Sequence, residues 1–287
     1  MIRQVLFRYN EAQFNGLATR VHTAYTWDDI EIDAAQKQKL TIACDRYRLR
    51  GRIDAKYKVA ANNAYGNGVS VLLYGSPGTG KTMASQVVAN ELGLPLYRVD
   101  VSQIFSKYIG ETQKNLGKIF DEAKKANVIL FFDEADALFS KRTDVGDSND
   151  RYANAETAYL LQKIEEHNGM TILATNLYHN FDSAFVRRIT YTVRLDSPDE
   201  ATRLRLWQHT LPESMPVAPD VDFEFLAETF ELSGSNIKAI LHTAAYMAGA
   251  KDATVTMRDL VMALKMELEK LGRIIDATDF ANYGVYL

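Results

Sequence analysis

Eight residues, GSPGTGKT at positions 75–82, hold the densest chemistry in the chain. They satisfy G-x-x-x-x-G-K-[ST] and lie between an apolar run that reads as a strand and a segment with helical periodicity. Gly75, Gly78 and Gly80 permit a tight backbone path whose N–H groups can surround a phosphate, and the N-terminus of the following helix adds partial positive charge. Lys81 is placed to reach the β- and γ-phosphates of a nucleotide, and the Thr82 hydroxyl to ligate Mg²⁺. Ser76, Pro77, Thr79 and Met83 complete the candidate contact set.

Nucleotide binding by itself is not hydrolysis, and the second half of the chemistry follows in VILFFDEAD (128–136). Asp133 ends an apolar strand where it can hold Mg²⁺, and Glu134 can orient and deprotonate an attacking water. ILATN (172–176) ends another buried strand in Asn176, whose amide can hydrogen-bond the γ-phosphate or that water. DSAFVRRI (182–189) sets Arg187 and Arg188 just before the last strand, where a guanidinium can meet the γ-phosphate held by a neighbouring subunit. Together these residues predict an ATPase with ATP and Mg²⁺ as cofactors.

Positioning them requires strands that end side by side. Apolar, β-branched runs at 69–75, 95–101, 128–133, 170–176 and 191–196 alternate with helical patterns, which predicts an α/β fold with a five-stranded parallel sheet flanked by helices. Ala84, Val87, Val88 and Leu92, and likewise Leu116, Ile119, Phe120 and Ala123, form stripes that should pack on it. After Asp196 the strands stop. SPDE (197–200) offers a helix start with Ser197 as N-cap, and the stripes Ile237, Ile240, Leu241 and Leu260, Leu264, Leu268 predict a small all-helical region. The expected organisation is an arm over 1–26, an α/β domain over 27–197, a helical lid over 198–272 and a tail over 273–287 with exposed aromatics able to dock on a partner.

Composition narrows the function classes. A 287-residue chain with 47% hydrophobic and 24% charged residues is globular, and a net charge of −4 disfavours nucleic acid as a partner. Its one cysteine, Cys44, excludes an internal disulfide and fits a cytoplasmic location. No apolar run is long enough to insert in a membrane, and five scattered histidines lack the paired spacing of a metal site.

The phosphate loop, acidic pair, strand-end Asn176, paired arginines and the segment SGSNI (233–237) resemble the AAA clade of AAA+ ATPases, the group of katanin, spastin and the peroxisomal and ubiquitin-linked unfoldases, over about residues 27–272. Within it, SKYIGETQKNL, FDEADALFSKR and RRIT look most like bacterial ATPases encoded with phage-tail-like contractile injection systems. The resemblance implies a P-loop fold with a helical lid and a ring, usually of six copies, with ATP at each boundary. It implies that Asn176 is a sensor, that Arg187 and Arg188 are arginine fingers, and that Gly234 lies near the nucleotide. Asp29 and Ile30 of WDDI would contact adenine through backbone, although the glycine usual after that motif is missing. Tyr108, Ile109 and Gly110 would form a pore loop that grips an extended protein substrate. The implied function is a ring-forming, Mg²⁺-dependent ATPase that threads or remodels a protein; the alternative is an ATP-switched assembly factor without threading.

Overall fold

A computed structural model describes residues 14–58, 67–104, 111–138, 148–181, 183–212, 214–273 and 275–287. The chain divides into two compact units: Met1–Gly75 with Lys81–Leu195, and Ser76–Gly80 with Asp196–Leu287.

The first unit is built on strands β1 (Ala18–Val21), β2 (Val69–Tyr74), β3 (Leu96–Val99), β4 (Ile129–Phe132), β5 (Met170–Thr175) and β6 (Tyr191–Arg194), ordered β1-β3-β4-β5-β2-β6. Successive side chains of a strand point to opposite faces, so an apolar run can serve two cores at once. Leu72, Leu130, Phe132 and Leu173 face one core with Leu116, Ile119 and Phe120 of helix α4 (Glu111–Ala126) and Leu160 and Ile164 of α5 (Ser148–Glu166). Val71, Leu73, Phe131, Ile172 and Val193 face the other, with Leu40, Ala43, Cys44 and Tyr47 of α1 (Ala34–Tyr57) and Ala84, Val87 and Val88 of α2 (Lys81–Leu92). The unit also contains short helices α3 (Val101–Ile104) and α6 (Ser183–Val186).

The five expected strands all form, but the sheet has a sixth. Residues 18–21, within the expected arm, pair antiparallel with β3, Ala18 opposite Val99 and Val21 opposite Leu96. The reason lies outside the strand: Phe14, 2% exposed, packs with its ring tilted 31° against that of Tyr97, centroids 4.7 Å apart, and holds the segment on the sheet edge. Burying one such side chain contributes about 2 kcal/mol, which a four-residue strand without clear alternation cannot advertise.

The second unit contains α7 (Glu200–His209), α8 (Phe223–Thr229), α9 (Gly234–Gly249) and α10 (Met257–Lys270). Its core joins Trp207, Leu226, Ile237, Ile240, Leu241, Leu260, Leu264 and Leu268, as the helical stripes predict. The α7 N-cap is Asp199 rather than Ser197: its carboxylate accepts from Thr202 N–H at 2.8 Å. Pro198 stays outside the helix, and its carbonyl accepts from Arg203 Nη1 at 2.9 Å, while the residue before a proline is driven away from helical angles. The Asn236 amide donates to Glu267 Oε1 at 2.8 Å, tying α9 to α10.

The tail is not a free arm. Its 3₁₀ segment Ala277–Tyr286 buries Phe280 completely, 5.1 Å from the Phe230 ring, and Tyr283 Oη donates to Asp222 Oδ2 at 2.9 Å. Among the tail's described apolar side chains, Val285 is the most exposed, at 81%. Among the described residues no helix is long and apolar enough to cross a membrane, and no cluster of His, Cys, Asp or Glu could hold a metal by itself.

Candidate functional site

Parallel pairing brings the ends of three strands level. Tyr74 of β2 pairs with Thr175 of β5, and Phe132 of β4 with Leu173 of β5. Since β5 lies between β2 and β4, the residues that follow these strands, Gly75, Asp133 and Asn176, emerge at one end of the sheet, where open α/β sheets bind ligands.

In the first unit, Lys81 at the start of α2 is 9% exposed and donates from Nζ to the Gly75 carbonyl at 2.8 Å. Burial lowers its pKa, against the pull of Asp133 and Asp136, which favour the charged form. A buried ammonium facing two carboxylates is a strong point charge held ready for an anion. The Thr82 hydroxyl donates to Asp133 Oδ2 at 3.4 Å, and Asp133 Oδ1 accepts from the Glu134 N–H at 3.1 Å. Hydroxyl and carboxylate oxygens side by side are the donor set that suits Mg²⁺. Glu134 has φ 52° and an exposed side chain. For a non-glycine residue that left-handed backbone is costly, and such strain concentrates at functional positions.

Sequence reasoning missed the support beneath this group. Thr175, 1% exposed, donates its hydroxyl to Asp136 Oδ1 at 2.8 Å and accepts from the Leu177 N–H at 2.9 Å. That pair joins the turn after β4 to the end of β5, next to Asn176, whose side chain is exposed. The last Asp of the DEAD run was its only trace in the sequence.

The two candidate arginines differ. Arg188 is engaged with Glu165, Nε to Oε1 at 3.2 Å, whereas Arg187 is exposed and has no ion-pair partner among the described residues. In WDDI, Asp29 accepts from the Thr26 N–H at 2.7 Å and hydroxyl at 2.8 Å, bonds that lower its pKa, and Ile30 is 6% exposed in the core. Trp27 donates from Nε1 to Glu91 at 3.1 Å. Asp29 is thus exposed and held by Thr26, whereas Ile30 and Trp27 pack against the core. Met83 likewise packs on the core below α2.

The middle of the phosphate loop, Ser76–Gly80, packs within the second unit. The Ser235 N–H donates to the Gly78 carbonyl at 3.3 Å, and Thr79 Oγ1 donates to the Ser76 carbonyl at 2.9 Å. Gly78 has φ +78°, and a Cβ there would lie 2.2 Å from Ser235 Oγ and 2.5 Å from Ser233 Oγ. Gly234, by contrast, has its nearest neighbours at ordinary contact distance, 3.6 Å from Leu206 and 3.7 Å from the Gly78 carbonyl. The pair of serine hydroxyls against Gly78, 3.0 Å apart, was not legible in sequence. Tyr108, Ile109 and Gly110 lie outside the described residues.

Known proteins resemble this part of the chain. Residues 71–197 match the model of the ATPase family associated with various cellular activities (AAA). The chain is 38% identical over 215 residues to a proteasome-activating nucleotidase of Aeropyrum pernix, covering 70% of this chain and 52% of that protein. It is 37% identical over 216 residues to the proteasome-activating nucleotidase of Archaeoglobus fulgidus, covering 72% and 54%. An uncharacterized AAA family ATPase of Sinorhizobium fredii is 40% identical over 131 residues, 46% of this chain and 40% of that one. The chain thus spans about half the length of the proteasome-activating relatives it matches.

Proposed function

We propose that this chain, which carries an AAA-type P-loop ATPase domain, is a ring-forming, Mg²⁺-dependent ATPase that couples ATP turnover to unfolding or remodelling of a protein. The observation that carries the reading is the convergence of buried Lys81, Thr82 and Asp133 at one end of the sheet, with Glu134 on a strained backbone beside them. Similarity to proteasome-activating nucleotidases supports a protein, rather than a nucleic acid, as the object of the work.

Each residue then has a task. The backbone of Ser76–Gly80 wraps the phosphates and Lys81 neutralises them. Thr82 and Asp133 would hold Mg²⁺, which on binding offsets charge on the phosphate oxygens. Glu134 accepts the proton of the attacking water, Asn176 orients that water, and the Thr175–Asp136 hydrogen bond keeps both strand ends in register. Arg187 reaches the site of an adjoining copy in a six-membered ring. Tyr108, Ile109 and Gly110 grip the substrate chain, and Asp29, Ile30 and Gly234 border the nucleotide base. We further propose that the chain belongs to the katanin-like clade, from its phosphate loop, acidic pair, Asn176, paired arginines and SGSNI, and to the ATPases that accompany contractile injection systems, from SKYIGETQKNL, FDEADALFSKR and RRIT.

Nucleotide binding and turnover of variants test this. Lys81→Ala should lose ATP binding, and Glu134→Gln should bind ATP and stop hydrolysing it. Tyr108→Ala should hydrolyse ATP yet fail to unfold a tagged reporter protein. A Glu134→Gln chain that hydrolyses like the wild type would overturn the catalytic reading. Intact unfolding by Tyr108→Ala would overturn threading and favour the ATP-switched docking role.

A further inference from the structure

Charge is unevenly distributed along this chain. Residues 34–58 contain eight Lys or Arg and two Asp, whereas residues 220–231 contain five acids and no base. Overall, residues 1–195 carry a net +3 and residues 196–287 a net −7, which together give the −4 of the whole.

The basic stretch is helix α1, and its outward face is unusual. Lys39, Ile42, Arg46, Leu49, Ile53 and Tyr57 recur at steps of three and four, which places them on one side of a helix. All six are exposed, Tyr57 at 59% and Ile42 at 45%, while Leu40, Ala43, Cys44 and Tyr47 bury the opposite side in the core. Other cations of α1 are used within the fold: Arg48 pairs with Asp45 and Glu91, Lys37 donates to the Trp27 carbonyl, and Arg50 lies 3.7 Å over the Tyr47 ring. Lys39 and Arg46 have no ion-pair partner among the described residues; Arg46 sits 5.9 Å from the Tyr191 ring. The exposed aliphatics form an apolar stripe of the kind that marks an interaction surface, and the cations beside them favour an acidic partner.

The acidic stretch has the complementary character. Glu224 and Glu228 stand one turn apart on α8, both exposed, flanked by exposed Asp220 and Glu231. None forms an ion pair among the described residues, and Val217 is exposed beside them. We propose that the Lys39–Tyr57 face of α1 docks on the Asp220–Glu231 stretch of a second copy of this chain. Such a contact joins two different surfaces head to tail, the kind that closes into a ring or runs on as a filament. The inference rests on the ring reading above and names the surfaces that would hold neighbours together. A polyanionic sheet such as a lipid surface fits less well, because exposed Asp28 and Asp33 stand at the N-terminal end of α1 and would repel it.

Sedimentation velocity with Mg²⁺ and a non-hydrolysable ATP analogue tests the contact through four chains: wild type, Lys39→Glu/Arg46→Glu, Glu224→Lys/Glu228→Lys, and all four changes together. Each double reversal should raise the assembly midpoint about tenfold at low salt, with a smaller effect at 0.5 M salt. A one-to-one mixture of the two double variants should assemble again, because each then offers its neighbour the opposite charge, and the fourfold variant should assemble alone. Equal melting temperatures and analogue affinities establish that each variant is folded, and Lys39→Glu/Lys56→Glu replaces the first pair if Arg46→Glu unfolds. Restoration in the fourfold variant without restoration in the mixture would mean a contact within one chain and would overturn the proposal. Unchanged assembly of both reversals would overturn it while leaving the ring intact. A wild type that stays monomeric would overturn ring and contact together. Loss of binding to phosphatidylserine vesicles or single-stranded DNA in Lys39→Glu/Arg46→Glu, with assembly unchanged, would reassign the face to a polyanion.

Discussion

Lowering the pH should destabilise the sheet-bearing unit through one side chain, His167. It follows α5 directly, is 6% exposed and sits edge-on to Phe120 with ring centroids 5.4 Å apart. Among the described residues its Nε2 has no hydrogen-bond partner, and the ring presses so close to Gly169 that a Cβ there would lie 2.1 Å away. Burial, with Arg50 and Lys124 adding to it, lowers its pKa to about 4 from the ordinary 6.5. The unfolded chain therefore takes up a proton that the folded chain refuses, so stability is complete above pH 6.5 and is lost as the pH falls toward 4. The cost works out to about 2 kcal/mol at pH 5 and about 3 kcal/mol by pH 4. For a unit of this size the first figure corresponds to about 4–8 °C in melting temperature. Trp27 fluorescence in a Trp207→Phe background reports on this unit alone, because Trp27 belongs to it and Trp207 to the helical one. His167→Leu replaces the imidazole with a non-titrating group of similar size, and its melting temperature should fall less between pH 7 and pH 5 by that margin. Parallel pH profiles for wild type and His167→Leu would refute the argument.

Arg187→Ala should reduce steady-state ATP turnover by about a thousandfold, the scale of an arginine finger. Arg188→Ala should mainly lose the half-exposed pair with Glu165, less than about 1 kcal/mol in thermal melts, and equal catalytic losses would reverse the assignment. Gly78→Ala should weaken binding of a fluorescent ATP analogue, since φ +78° costs alanine about 1 kcal/mol and its Cβ collides with Ser233 and Ser235. Adding Ser235→Gly should recover part of that loss but not the backbone share; wild-type affinity in Gly78→Ala alone would show that the loop is not held as described.

The position of the candidate site was legible in the sequence because it depends on local pattern: GSPGTGKT follows one apolar strand, and the acids and amide at 133, 134 and 176 directly follow two others. Strand identity was legible for the same reason, each central run being buried on both sides. Long-range pairing decided the rest. β1 exists because Phe14 finds Tyr97, the tail folds back because Phe280 finds Phe230, and α7 starts at Asp199 because Arg203 claims the Pro198 carbonyl. Nor could spacing separate two adjacent arginines: only the fold supplies Glu165 to Arg188 and leaves Arg187 exposed. Local patterns set what each segment can do, and contacts between residues far apart in the chain set which of those capacities remain available.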